Sequence, residues 1–180
     1  MMLRRDDCAL LVVDVQGILV RMMWEREIFL KNVQIMIQSA GLLELPLLWV
    51  EQYPEGLGGT VPEIAGLLTD KTPIIKKTFN ACLNPVFMEE LNKLGKKQLL
   101  VVGMETHVCV YQTVMGLLTS GYGVQLVTDA VSSRNHHNKE IGLMKMKEAG
   151  AVMTSTETVL FELMEIAEGK IFKEFIKLVR

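Results

Sequence analysis

Residues 99–113 read LLVVGMETHVCVYQT, and this stretch decides the predicted fold. An apolar run rich in valine and leucine ends at Gly103, a short polar loop follows, and Cys109 opens a segment with helical spacing. The pattern predicts a strand, a tight turn and a helix, with a thiol at the joint. A cysteine at a helix N-terminus is a candidate nucleophile, because the helix dipole favours the thiolate over the thiol. A free cysteine is also often a small buried apolar residue, so the stretch alone leaves both interpretations of Cys109 open.

Strand and helix patterns alternate along the rest of the chain. Apolar runs predict strands buried on both faces of a parallel sheet at residues 8–13, 45–52, 73–77, 97–103, 122–130 and 151–155. Helical spacing predicts helices at residues 25–40, 85–94, 109–121 and 138–149, and two closing helices within residues 157–179, broken near Gly169. Gly41 and Gly95 are expected to cap helix ends, and Asn84 to cap a helix start. The alternation predicts an α/β fold: a doubly wound, mainly parallel six-stranded sheet with helices on both faces.

Length and composition fit a single domain over residues 1–180. A hydrophobic content of 49% leaves surplus for a subunit interface, so a homo-oligomer is expected. The net charge is −2 with no basic cluster, which predicts no nucleic-acid partner. No apolar run is long enough for a membrane span, and the N-terminal run is typical of a strand rather than a signal peptide. The cysteines form no metal-type pair and predict reduced thiols in a cytoplasmic protein.

Three side chains that suit thiol chemistry fall at predicted carboxyl ends of strands. Asp14 follows the first strand, Lys77 ends the third, and the loop before Cys109 follows the fourth. Ligands of doubly wound sheets bind outside the carboxyl ends of the strands, near the point where the strand order reverses. We therefore expect these residues to share one rim of the sheet.

Four motifs in register carry a resemblance to a known family: ALLVVDVQ, KKTFNA, GMETHVCVYQT and GYGVQLVTDA. Their order and spacing resemble the isochorismatase-like cysteine hydrolase family, which includes nicotinamidases and N-carbamoylsarcosine amidohydrolases. The resemblance covers residues 8–155, and the segment DAVSSR within it is most similar to small isochorismatase-domain proteins of unassigned function.

The resemblance implies an Asp-Lys-Cys triad made of Asp14, Lys77 and Cys109. Lys76 is the neighbouring candidate, but the family pattern places the lysine three residues before a serine or asparagine, and Asn80 fits Lys77. Strand alternation sends the two lysines to opposite faces, so only one of them can face the pocket.

The resemblance also implies how the triad would work. A cis peptide bond between Met104 and Glu105 would aim the amides of Glu105 and Cys109 at one oxyanion hole. Lys77 and the helix N-terminus would lower the pKa of the Cys109 thiol, while Asp14 would take its proton and pass it to the leaving amine. The implied reaction is hydrolysis of a small amide or ureido C–N bond through a thioester, with a small-molecule substrate and no cofactor.

Other polar and aromatic residues are candidates for the pocket or for structural roles. Candidates for the pocket are Gln16, Trp24, Gln52, Tyr53 and Phe79, although ordinary packing also explains the aromatic ones. We interpret His107 as loop structure rather than as a base for Cys109, and Asp129 as a residue that ties loops together.

No metal site is expected. Nicotinamidases carry an acidic residue and several histidines after the second strand, whereas this region reads VEQYPEGLGGTVPE and has no histidine. His136 and His137 have no matching third ligand in the predicted fold.

Two other functions compete with the hydrolase hypothesis. The first is a catalytically idle binding or scaffold protein with the same fold. The second is a thiol-redox protein, which is weaker because no resolving cysteine is evident; Cys82 lies in a loop near Lys77. The vinyl-ether cleavage of true isochorismatases is disfavoured, because those members lack the cysteine that Cys109 supplies here.

Overall fold

A parallel sheet forms the centre of the protein, of which a computed structural model describes residues 2–179. Its strands are β1 (Cys8–Val13), β2 (Leu47–Gln52), β3 (Ile74–Lys76), β4 (Gln98–Met104), β5 (Gly123–Ser132) and β6 (Val152–Thr154). They lie in the order β3-β2-β1-β4-β5-β6, and every neighbouring pair is parallel. The prediction of a doubly wound six-stranded sheet is confirmed.

Helices connect the strands and cover both faces of the sheet. They are α1 (Arg26–Leu42), α2 (Pro54–Leu57), α3 (Pro62–Ala65), α4 (Pro85–Leu94), α5 (Tyr111–Thr119), α6 (His136–Glu148), α7 (Thr156–Met164) and α8 (Gly169–Val179). Short 3₁₀ turns occupy Arg5–Asp7, Ile18–Met22 and Ala81–Leu83, and a π-helical turn occupies Thr106–Val110. Among the described residues, no helix is both long and apolar enough to cross a membrane.

Helix caps explain where two of these helices begin and end. Asn84 accepts hydrogen bonds from the backbone of Val86 and Phe87, and Gly95 ends α4 in the left-handed conformation, as predicted. The prediction that Gly41 ends α1 is wrong. The helix continues to Leu42, and Leu43, which follows it, is buried in the core.

The sheet separates two hydrophobic cores. Along β1, Leu10 and Val12 belong to the core under α1, α7 and α8, whereas Leu11 and Val13 belong to the core under α4 and α5. Every residue of β1 is buried, as expected for a strand covered on both faces. The chain leaves this buried strand directly at Asp14.

The strand order reverses between β1 and β4, which lie side by side at the centre of the sheet. Gly103 pairs with Val13 there, and a side chain at Gly103 would collide with the Val13 carbonyl group. This close approach brings Asp14, after β1, near Glu105, after β4. Such a crevice is where doubly wound proteins bind their ligands.

Candidate active site

The ends of the three adjacent central strands have an unusual backbone. Asp14 after β1, Tyr53 after β2 and Glu105 after β4 all have positive φ angles, of 54°, 36° and 57°. Left-handed backbone at residues other than glycine costs on the order of 1–3 kcal/mol each, and it clusters at functional sites. The sharp turns direct the chain out of the sheet immediately after each strand.

A buried ion pair lies at this rim. The Lys76 Nζ donates to Asp14 Oδ2 at 2.7 Å and to Gln52 Oε1 at 2.7 Å, and it lies 3.3 Å from the Thr78 carbonyl oxygen. The side chains of Lys76 and Asp14 are 0% and 4% exposed. Buried charges of this kind need each other, because either one alone would carry a large desolvation penalty.

The prediction that Lys77 faces the site is wrong, since Lys76 occupies that position. Strand β3 ends at Lys76, which pairs in register with Gln52 of β2, so its side chain reaches Asp14. Lys77 is exposed, and its Nζ lies 5.8 Å from the centre of the Tyr53 ring. The two lysines point to opposite sides, as expected, but Lys76 rather than Lys77 faces the site.

Cys109 lies in the π-helical turn that precedes α5, and it is 6% exposed. Burial and the Asp14 carboxylate raise the pKa of the Cys109 thiol to about 12, although the Lys76 charge acts in the opposite direction. The net shift of this pKa is therefore opposite to the expected one, because desolvation outweighs the lowering effect of the lysine. Cys109 is a thiol at neutral pH and needs a base before it can attack.

Asp14, which lines the same cavity as Cys109, is the candidate for that base. Its Oδ1 atom is buried without a hydrogen-bond partner, while its Oδ2 atom is held by Lys76. Cys109 and Asp14 line the same cavity and lie close enough for each group to influence the pKa of the other. Burial raises the pKa of Asp14 above its usual value, and Lys76 and Cys109 partly offset this rise. A carboxylate with a raised pKa is a stronger proton acceptor than an ordinary aspartate.

This pairing predicts an unusual pH dependence for alkylation of Cys109 by iodoacetamide. Asp14 takes the proton directly, so we expect a rate that is nearly constant near neutrality and falls only as the pH drops through the raised pKa of Asp14. Cys82, whose pKa burial raises to about 11, reacts only as its thiolate, so its rate should rise about tenfold per pH unit. Peptide mass spectrometry from about pH 6 to about pH 9 measures both rates in one sample.

The control for this prediction is Asp14→Asn, which removes the proton acceptor. Cys109 in that variant should show the same slope with pH as Cys82. An equally steep slope for Cys109 in the unchanged protein would contradict the role of Asp14.

The turn before Cys109 differs from the prediction. Within residues 2–179 no peptide bond is cis, so the cis bond expected between Met104 and Glu105 is absent. Glu105 makes the turn instead by adopting the left-handed conformation, and its carbonyl oxygen accepts a 2.8 Å hydrogen bond from the Val108 amide. An oxyanion hole formed by the amides of Glu105 and Cys109 stays a prediction.

A cavity of about 300 Å³ opens at this rim. Its apolar walls come from five elements or their flanking loops: Leu19, Leu57, Phe79, Met104 and Val108. Its polar lining consists of Asp14, Gln16, Gln52, Glu105, Cys109 and Arg134. The volume suits a small molecule.

Three of the five predicted pocket residues line this cavity, namely Gln16, Gln52 and Phe79. Trp24 and Tyr53 do not. Trp24 packs against the His136 ring, with the ring centres 5.0 Å apart, and Tyr53 packs over Gly56 in the turn after β2. Both aromatic side chains are about half exposed.

Sequence reasoning missed the side chain of Arg134. Its Nε donates to Glu105 Oε1 at 2.9 Å, and its Nη2 lies 3.5 Å from Glu105 Oε2. Arg134 follows β5 in the segment DAVSSR. The sequence of this segment indicated the family, but it gave no sign of a contact between Arg134 and Glu105.

His107 and Asp129 have structural contacts. The His107 Nδ1 lies 3.0 Å from the Ser133 hydroxyl group, which agrees with a role in loop structure. Asp129 accepts hydrogen bonds from the amide and hydroxyl groups of Thr156, so it ties β5 to α7. Within the described part of the chain, no cluster of three or more His, Cys, Asp or Glu side chains has the arrangement of a metal site.

Comparison with known proteins provides independent information. A family model described as Isochorismatase domain matches residues 8–158. Isochorismatase family protein 1A of Dictyostelium discoideum is 39% identical over 147 residues, covering 79% of this chain and 71% of that protein. A structure described as MAR1 ribonuclease from Caenorhabditis elegans has a TM-score of 0.92 at 34% identity, covering 99% and 92% of the two chains. The YcaC gene product of Escherichia coli, described as an octameric hydrolase of unknown specificity, has a TM-score of 0.90 at 27% identity over 99% and 95%.

Proposed function

This chain belongs to the isochorismatase domain family, and from that premise we propose that it is a cysteine hydrolase that cleaves a C–N bond of a small amide or ureido compound. One observation carries the proposal: Cys109 and Asp14 line the same small cavity, where Lys76 holds the Asp14 carboxylate at 2.7 Å. A nucleophile, its base and a group that orients the base are the parts that acyl transfer requires.

The first half of the reaction forms a thioester. Asp14 takes the proton of the Cys109 thiol as the sulfur attacks the substrate carbonyl carbon and the S–C bond forms. Asp14 then gives this proton to the substrate nitrogen, the C–N bond breaks, and ammonia or an amine leaves. Lys76 keeps the Asp14 carboxyl group oriented, and its positive charge balances the negative charge of Asp14 whenever Asp14 is deprotonated.

The second half restores the enzyme. Asp14 takes a proton from a water molecule, whose oxygen attacks the thioester carbon. The C–S bond breaks, the sulfur recovers a proton from Asp14, and the acid product leaves. Backbone amides at the turn formed by Glu105 and the following helical turn would hold the oxyanion in both halves.

The ribonuclease name of the Caenorhabditis elegans structure suggests a different substrate. Cleavage of RNA needs cations that are free to meet phosphate groups. Lys76 is paired with Asp14, and Arg134, the cation among the described residues that line the cavity, is paired with Glu105. The site therefore favours a small molecule over a polyanion.

We also propose that the chain forms a homo-oligomer. The Escherichia coli relative is described as octameric. Large apolar side chains stay exposed within residues 18–28, which is a surface that a second copy would cover: Ile18, Met22, Trp24 and Ile28. The cytoplasmic location stays a prediction, and the three cysteines are all free thiols, as it requires.

Trapping of the thioester tests the proposed reaction. Hydroxylamine attacks an acyl-enzyme faster than water does, so the protein with an amide and hydroxylamine should yield a hydroxamate as well as ammonia. Acid quenching should also leave the acyl group on the peptide that contains Cys109. If a panel of small amides and ureido compounds gives neither product, yet a ligand binds equally well to Cys109→Ala, the protein is an idle binding protein.

A further inference from the structure

The charged groups at the candidate active site neutralise one another. Glu105 is nearly buried and is held by Arg134 at 2.9 Å, and Asp14 is held by Lys76 at 2.7 Å. Each carboxylate thus has its own cation. The formal charges of these four groups cancel, so they present no net charge to a substrate carboxylate or ammonium group.

The two glutamines of the cavity are held by hydrogen bonds within the protein. The Gln16 amide group donates to the carbonyl oxygens of Gln52 and Gly58, at 3.1 and 2.7 Å, and accepts from the Gln52 amide at 2.6 Å. The Gln52 side chain donates to the Lys77 carbonyl oxygen at 3.0 Å and accepts from Lys76 at 2.7 Å. Both side chains build the frame of the cavity, and these hydrogen bonds fix their orientation.

The rest of the cavity lining is of two kinds. At the reacting end are the Cys109 thiol and the unpaired Asp14 Oδ1 atom. The other walls are apolar side chains: Leu19, Leu57, Phe79, Met104 and Val108. A charged group that entered here would lose its hydration without gaining a net opposite charge.

We propose that this site selects uncharged amides whose acyl group is compact and apolar, an inference that rests on the proposed function and defines its substrate class. The cavity of about 300 Å³ is at the small end of ligand sites, so it limits the size of the acyl group. The apolar walls of the cavity favour apolar substrate groups and disfavour charged ones.

A matched pair of alkylating reagents tests the rejection of charge. Iodoacetamide and iodoacetate have nearly the same shape, but iodoacetate is an anion. The rate ratio of iodoacetamide to iodoacetate at Cys109 should exceed the same ratio at Cys82 by about tenfold or more. Cys82 is a suitable internal control, because burial is the main cause that raises its pKa and no charged neighbour contributes to it.

A variant extends this test. Glu105→Gln leaves the Arg134 guanidinium without its partner, so it should bring the Cys109 ratio down toward the Cys82 ratio. The double variant Glu105→Gln, Arg134→Gln should restore discrimination. Equal ratios at Cys109 and Cys82 in the unchanged protein, or faster reaction of Cys109 with iodoacetate, would overturn the proposal whatever the variants do.

Amides of matched size test the apolar acyl group. Propionamide should protect Cys109 from iodoacetamide at least about tenfold better than glycinamide, and isobutyramide at least about tenfold better than malonamate. Better protection by glycinamide or malonamate would overturn the inference. Protection does not require turnover, so a failure of this selectivity is distinguishable from an absence of hydroxamate, which would instead refute the proposed reaction.

Discussion

Cys109→Ala is expected to abolish both ammonia release and hydroxamate formation, by a factor of about 10⁴ or more, because no other group can form the thioester. The side chain is small and nearly buried, so the fold should survive its truncation. Thermal unfolding and the far-UV circular dichroism spectrum verify that the variant is folded. Turnover of a substrate found with the unchanged protein measures the loss.

The matched control is Cys82→Ala. Cys82 is half-buried, and its sulfur lies 3.8 Å from the Thr113 carbonyl oxygen rather than against Asp14. We expect this variant to keep its activity within a factor of about two. Activity that survives in Cys109→Ala and disappears in Cys82→Ala would refute the assignment of the nucleophile and favour a reaction centred on the other thiol.

Lys76→Met should have the largest effect on stability, because it leaves the Asp14 carboxylate buried without a partner. Breaking a buried ion pair in this way costs about 3–5 kcal/mol of unfolding free energy. Loss of the Lys76 charge should also raise the pKa of Asp14 further, since that charge now lowers it. Activity should therefore fall, and the acidic limb of its pH profile should move to higher pH.

Lys77→Met is the matched control, one residue away with the same substitution. Lys77 is exposed and contacts the Tyr53 ring at 5.8 Å, so its loss should change the unfolding free energy by no more than about 0.5 kcal/mol. Urea unfolding of both variants decides between the two lysines. A larger loss of stability and activity in Lys77→Met would restore the sequence-based assignment and contradict the geometry of β3.

The double variant Asp14→Asn, Lys76→Met separates stability from catalysis. Removal of both charges should recover much of the stability lost in Lys76→Met, because no unpaired charge remains in the core. Activity should stay absent, since asparagine cannot accept the Cys109 proton. Recovery of both properties together would exclude Asp14 as the base.

The resemblance of the motifs to a known family predicted only part of the candidate site. Asp14 and Cys109 were named from the sequence, and both lie at the crevice between β1 and β4. The predicted lysine, Lys77, is one residue away from the lysine that pairs with Asp14. The prediction used the family's spacing from Asn80, whereas the face that a strand residue points to depends on where the strand ends. In β3 the strand ends at Lys76.

The direction of the pKa shift of Cys109 could not be predicted from the sequence either. A helix start and a nearby lysine both favour a thiolate, and these signals are local. Desolvation and the Asp14 charge oppose them and raise the pKa to about 12. Their size depends on how completely distant segments cover the thiol, which is a property of packing.

The sequence by itself determined the order of strands and helices, the parallel sheet and the rim that holds Asp14 and Cys109. Apolar periodicity, caps and chain direction are local properties, and they suffice for that much. Only the tertiary structure decided that Lys76 pairs with Asp14, that Arg134 neutralises Glu105 and that the cavity has apolar walls. These contacts join segments far apart in sequence, and their register is set by packing of the whole sheet and its helices rather than by any one stretch of residues.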